Sequence, residues 1–287
     1  MCAVRKAICL GLLMACGALV VSCSTGLTVP ITINVTTPAL SAAGDSAPEG
    51  QIIGYVYTPD PDSEDPAVGT SPRVTQTPIP PSGYRVPVVS VLVAPQGSAS
   101  SGVRLDQNGF FVFRGQPINS PPAAVRVSFT GGGFSDFVTD VPVVSADMEG
   151  WDVRQIDLQT NTQYANNSGD IRSMKSVILN AQVTASETAL ISLYVSGRGD
   201  LTRDQLADHP DAYPLMEVAL SAGETRRMLD VRPLRSDKLL ELSNPRTGNE
   251  MFWLYLHSEE PQNPGSGAAA SISSLEIVLE ALVGAPL

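Results

Sequence analysis

Leu105-Asp106-Gln107-Asn108-Gly109-Phe110-Phe111-Val112-Phe113 opens as a turn and closes as a strand. Asn-Gly takes positive φ at little cost and lets the chain reverse tightly. The apolar run behind it alternates, and successive side chains of a strand point to opposite faces. Phe111 and Phe113 therefore share one face, and Phe110 and Val112 the other. Val103 to Val112 as a whole reads as a hairpin.

Working outward, Gly50 to Gln159 is a series of short strands separated by turns. Gln51 to Tyr57, Val86 to Ala94, Ala124 to Phe129, Phe134 to Val138 and Val153 to Leu158 are the expected strands. Asp60 to Ser82 is polar and proline-rich and reads as a loop insertion. Gly131-Gly132-Gly133 breaks the pattern, and no dinucleotide-type helix follows it.

These residues resemble a known family. Gly50-Gln51-Ile52-Ile53-Gly54-Tyr55-Val56 looks like the opening strand of carboxypeptidase regulatory-like domains. Val86-Pro87-Val88-Val89-Ser90-Val91-Leu92-Val93 is similar to their proline-led valine strand. Leu105 to Phe113 matches their Asp and Gly turn with aromatic alternation, which implies that Phe111 and Phe113 face the sandwich core and that Phe110 and Val112 point outward or toward the neighbouring domain. Val125-Arg126-Val127-Ser128-Phe129 with Gly133-Phe134 resembles the strand and Gly-aromatic turn that come next. The resemblance covers about 110 residues. It implies a seven-stranded transthyretin/Ig-like sandwich over 50–159 and an accessory role without catalysis. The Asp60 to Ser82 insertion departs from the family pattern.

Thr160 to Gly169 is polar and reads as a linker, 160–170. The remainder, 171–287, again looks strand-rich: Ser176 to Thr184, Leu190 to Val195, Leu215 to Leu220, Thr225 to Val231, Leu239 to Leu242, Met251 to His257 and Ser271 to Val283. In the last, Leu275, Ile277, Leu279, Ala281 and Val283 share one face and Glu276 and Glu280 the other. One short helix is expected at Leu201 to Ala207, with Asp200 as its N-cap. The expected fold class is all-β, two β-sandwich domains in tandem, the second with seven or more strands and one short helix.

The N-terminus decides the compartment. Arg5 and Lys6 precede an uncharged apolar run, Ala7 to Val21, which ends in Val20-Val21-Ser22-Cys23. This is the form of a signal peptide, and the run is short for a membrane span of about 20 residues. Val20 to Cys23 resembles a bacterial lipobox, which implies removal of 1–22 and covalent lipid on Cys23. Leu13-Met14-Ala15-Cys16 is a second, shorter version. An ordinary secretory signal or a short anchor helix is the plainer alternative. Ser24 after the cysteine favours the outer membrane in a two-membrane bacterium. Cys2, Cys9 and Cys16 would leave with the signal, so Cys23 is the one cysteine kept. Residues 23–49 read as a tether, with a period-two edge strand at 27–35 that Pro30 confines to a sheet edge.

The chain carries 18 basic and 29 acidic residues. Losing Arg5 and Lys6 leaves 16 basic against 29 acidic, a net charge of −13, which argues against nucleic-acid partners. Candidate chemistry is sparse. His209 and His257 have no zinc-type spacing, and no Gly-x-Ser-x-Gly elbow accompanies them. Asp60, Asp62, Glu64 and Asp65 are weak calcium-ligand candidates, with a solvated acidic loop as the simpler reading. Arg198-Gly199-Asp200 is the tripeptide read by integrin-type receptors, but three residues recur by chance and a structural role for Asp200 as a helix cap is the simpler reading. Trp151 is a weak candidate for ligand stacking, whereas Trp253 sits in a run apolar on both faces and is expected in the core. No catalytic residue and no cofactor beyond the Cys23 lipid are expected. The expected role is a lipid-anchored, non-catalytic envelope protein, structural or protein-interacting, periplasmic or surface-facing. The alternative is a surface glycan-binding or adhesive lipoprotein. The partners are then the membrane and another envelope protein or glycan.

Overall fold

The computed structural model describes residues 26–35, 40–42, 49–65, 69–97, 102–116, 121–146, 150–248 and 250–284. Cys23 and the rest of the lipobox lie outside the described residues. The chain is mostly β, with four antiparallel sheets, none closed into a barrel, and two short α-helices among the described residues.

The strands run β1 Leu27–Asn34, β2 Leu40–Ala42, β3 Glu49–Pro59, β4 Arg73–Thr75, β5 Tyr84–Arg85, β6 Ser90–Pro95 and β7 Val103–Arg104. Then come β8 Phe110–Gln116, β9 Ala123–Thr130, β10 Phe137–Val141, β11 Val143–Ala146 and β12 Trp151–Asp157. Helix α1, Thr162–Asn167, follows, with β13 Ile171–Ala185, β14 Ala189–Ser196, β15 Tyr213–Leu220 and β16 Thr225–Val231 after it. Helix α2, Ser236–Ser243, precedes β17 Met251–Glu260, β18 Asn263–Gly267 and β19 Ala270–Val283.

Strands β3 to β11 make a first body of two facing sheets. One is ordered β10-β9-β6-β7; in the other, β4, β5, β8 and β11 all pair with β3. Their inner faces meet in a core of Ile52, Val56, Val91, Val93, Phe111, Val125, Val127 and Val141. The remaining strands make a second body. One sheet is ordered β1-β19-β13-β16 with β2 also on β19; the other is β12-β17-β14-β15 with β18 on β17. The two share a larger core that includes Ile31, Leu179, Leu193, Leu254 and Ile277. Both arrangements are consistent with β-sandwiches.

The first body is thus inserted into the second. β1 pairs with β19 from Leu27↔Val283 to Asn34↔Glu276, at the sheet edge where Pro30 is tolerated. Ile31 and Ile33 are buried, so 27–34 is a core strand and not slack in a tether. β12, expected at the end of the first sandwich, pairs instead with β17 from Trp151↔His257 to Asp157↔Met251.

Three local expectations give way to side-chain chemistry. The linker expected at 160–170 holds α1, because the Asn161 side chain accepts the Tyr164 N–H at 3.0 Å and caps it. Tyr164 is fully buried and donates its hydroxyl to the Ser243 carbonyl, 2.9 Å away. Leu239 to Leu242, expected as a strand, lies in α2, where helical period buries Leu239 and Ser243 on one side. At Leu201 to Ala207 only a 3₁₀ turn forms, Arg203–Gln205, and the Gln205 side chain accepts the Thr202 N–H at 2.9 Å. Asp200 is therefore not its cap.

The turn at Asp106 to Gly109 is present, with Gly109 at φ +79° and its N–H donating to the Asp106 carbonyl at 3.0 Å. It does not close a hairpin within one sheet. β7 pairs with β6 and β8 with β3, so the turn carries the chain from one sheet of the first body to the other.

Candidate functional site at the joint between the two bodies

The first body packs on the face of the β12-β17-β14-β15 sheet that looks away from the second core. β17 is buried from Met251 to Ser258 because it has a body on each face. Even residues Phe252, Leu254 and Leu256 enter the second core; odd residues Trp253 and Tyr255 enter the joint. Tyr55, Tyr57, Tyr84 and Phe110 come down from the first body, and Val153, Tyr194, Leu201 and Leu206 come up from the second. Phe110 sits with its ring centroid 5.2 Å from Tyr55 and 5.9 Å from Trp253.

Asp106 is the polar centre of this joint. It is 4% exposed. Oδ1 accepts the N–H groups of Asn108 at 2.8 Å and Phe110 at 3.0 Å; Oδ2 accepts the Gly199 N–H of the second body at 2.8 Å. Burial lifts its pKa to about 6, against these three backbone donors, which hold it down. Gly199 is required here: a Cβ would lie 2.3 Å from Trp253 Cε2. Arg198 and Asp200 form a two-bond ion pair at 2.9 Å each, and Asp200 accepts the Tyr55 hydroxyl at 3.2 Å. Tyr255 donates to the Arg198 carbonyl at 2.7 Å. Burial, then Asp200 and Asp106, push the hydroxyl pKa of Tyr255 well above its usual value. Arg104 reaches Asp157 at 3.1 Å, and Gln155 donates to the Arg104 carbonyl at 2.7 Å.

Asp106→Ala, which leaves three backbone donors without their acceptor, is expected to lower stability at pH 5 by roughly 2–4 kcal/mol. The pH dependence has a definite sign. The folded pKa lies above the unfolded value, so the carboxyl's contribution is full below the unfolded pKa of 3.8 and is lost as pH rises through about 6. Urea unfolding from pH 4 to 7 should show that slope in the parent and a flatter one in the variant. Identical slopes would exclude Asp106 as the titrating group.

A cleft of about 460 Å³ opens beside the joint, lined by Arg104, Arg114, Asp152, Arg154, Asp157 and Trp253, among others. A second of about 350 Å³ shares Arg154, Gln155, Asp157 and Thr160 and is bounded by Ile33 to Val35. Arg154 donates to the Val35 carbonyl at 3.2 Å, and burial lowers its pKa. Trp151 is half-buried at the edge of the joint, parallel to Tyr255 at 6.3 Å, with the Arg114 guanidinium 4.5 Å from its ring centre.

The other sequence candidates are dispersed. Asp60 pairs with Arg85 at 3.3 Å and accepts the Asp62 N–H at 3.2 Å; Asp65 accepts the Ser82 hydroxyl at 3.0 Å, and Glu64 is exposed. Among the described residues no group of three His, Cys, Asp or Glu is placed to hold a metal ion. His209 accepts the Asp211 N–H at 3.1 Å. His257 is buried, which lowers its pKa, with Glu259 3.4 Å from Nδ1. The Arg198-Gly199-Asp200 tripeptide is a structural part of the joint, with Asp200 holding Arg198 and Tyr55 and not capping a helix. The role of Asp106 escaped the sequence reading, where it figured only as a turn residue; a carboxylate ahead of a turn carries no mark of a distant donor.

No protein-family model matches the chain, and no curated protein matches its sequence. Among solved structures it is similar to Desmodium yellow mottle tymovirus, at 14% identity over 48% of this chain and 83% of that one, with a TM-score of 0.22. Infectious bursal disease virus Gx strain gives 10% identity over 89% and 72%, with a TM-score of 0.19. Dimeric latent PorU from Porphyromonas gingivalis gives 11% identity over 90% of this chain and 25% of that one, with a TM-score of 0.20.

Proposed function

We propose that this chain is a lipid-anchored, non-catalytic module of a bacterial cell envelope, attached through Cys23 at the outer membrane and acting structurally or by binding another envelope protein. The observation that carries this reading is the joint. Asp106, Asp200, Tyr55, Tyr255 and Trp253, the groups with chemistry to offer, are committed to locking two β bodies together. A two-body unit packed in this way suits display or bridging. The Asp106 turn and the inward Phe111 and Phe113 support reading the first body as a transthyretin-like domain of the carboxypeptidase regulatory-like kind.

The anchor is testable in cells with a labelled fatty acid. Cys23→Ala is expected to abolish incorporation and to release the chain or leave an uncleaved precursor. Label that survives in Cys23→Ala and disappears in Cys16→Ala would assign the lipid to Cys16.

The cleft beside the joint, whose lining includes Trp253, Arg114 and the carboxylates Asp152 and Asp157, favours a second reading, in which the module binds a glycan. Titration with oligogalacturonate, and with a neutral oligosaccharide of the same length, separates the readings. Saturable binding of either sugar supports the glycan role, and binding of neither removes it.

A further inference from the structure

We propose that the end of the second body formed by Leu27, Leu282, Val283, Arg172 and Arg246 lies against the lipid surface, so that the module stands on the membrane in one fixed orientation. This rests on the reading of Cys23 as the anchor. Two residues, Ser24 and Thr25, separate Cys23 from Gly26, and three Cα steps reach at most about 11 Å. No slack follows. A Cβ at Gly26 would lie 2.9 Å from the Val283 carbonyl oxygen and from Leu282, so the chain is already seated on β19 there. From Leu27 onward it is held in register with β19, and Ile31 and Ile33 are locked in the core.

The chemistry of that end fits a headgroup boundary. Leu27 is 71% exposed and sits opposite Val283, beside the partly exposed Leu282. Arg172 is fixed there by donating to the Gly284 carbonyl at 3.2 Å, and Arg246 by donating to the Ile171 carbonyl at 3.0 Å. Asp170 is close by, and its carbonyl accepts the Gly284 N–H. An exposed leucine flanked by arginines is suited to the boundary between headgroups and acyl chains. It is unusual on a chain whose net charge is −11. The Asn34 end of β1, which borders the smaller cleft, is then held roughly 24 Å farther from the lipid, at about 3.4 Å per residue.

The test uses the chain from Cys23 onward, in which Cys23 is the sole cysteine. The pure protein is coupled through that thiol to a maleimide phospholipid in vesicles of phosphatidylcholine and phosphatidylglycerol containing brominated lipid. Leu27→Trp places a reporter at the proposed contact. Leu229→Trp is the control: it is also exposed, and lies next to the Met228↔Ala181 pair toward the Asn34 end. Brominated lipid is expected to quench the added fluorescence of Leu27→Trp at least about threefold more strongly than that of Leu229→Trp. Equal quenching, or none in either variant while the protein stays on the vesicles, overturns the orientation. Because the coupling is chemical, failure of fatty-acid labelling in cells would remove the anchor reading without touching this result.

Discussion

Trp253→Ala is expected to lower the unfolding free energy by roughly 3–5 kcal/mol, the usual cost of truncating a buried large aromatic. The indole is 1% exposed and lies between the two bodies, against Gly199 on one side and Phe110 on the other. Gly199 has no side chain to fill the space, and Phe110 is packed against Tyr55. The parent chain should unfold in one urea transition, since the joint is a buried core shared by both bodies. In Trp253→Ala that transition should split in two as the bodies uncouple. A loss below about 1 kcal/mol with one transition retained would show that the indole does not couple them. The same joint bears on proteolysis. Cleavage at 160–170 would open α1, whose Tyr164 is buried, and would leave both bodies attached through other strands.

Phe110→Ala and Phe111→Ala are expected to be comparably damaging, each by roughly 3–5 kcal/mol. Strand alternation alone makes the outward residue the cheaper one to remove. Here the outward face of β8 is covered: Phe110 is 5% exposed in the joint, and Phe111 is fully buried in the first core. The two losses should differ in kind. Phe111→Ala weakens the first body itself, while Phe110→Ala weakens its seat on the second. Urea unfolding followed by near-ultraviolet circular dichroism separates them, because Trp253 and Tyr255 report on the joint. A Phe110→Ala variant that loses less than about 1 kcal/mol would mean the joint is not tightly packed.

Much of the local structure was legible in the residues. Leu275, Ile277, Leu279 and Ala281 alternate with Glu276 and Glu280, and β19 buries the first set. Asn108-Gly109 announced its turn, and Pro30 its edge strand. Short elements governed by a single side chain were not legible. Asn161 turned a loop-like stretch into a capped helix, and Leu239 to Leu242, expected as a strand, was buried by helical period instead. The joint was the least legible part. Gly199 reads as one residue of a common tripeptide until Trp253 is laid over it, and Asp106 as a turn residue until Gly199 N–H is brought to it from 93 positions away.

The sequence by itself determined that this chain is built of strands, where most of them run, which face of each is apolar, and that an uncharged apolar run, Ala7 to Val21, precedes Cys23. These are properties of neighbours in the chain: side-chain alternation, turn chemistry, and a run of residues without charge. Only the tertiary structure decided that β1 closes the sheet of the last strand, that the first body is an insertion in the second, and that the outer face of β8 is buried against β17. The reason is physical. Every strand edge offers the same backbone donors and acceptors, so periodicity marks the buried face without naming the partner. The partner is chosen by which apolar faces fit together once the whole chain has collapsed, and that choice is written in no single stretch of it.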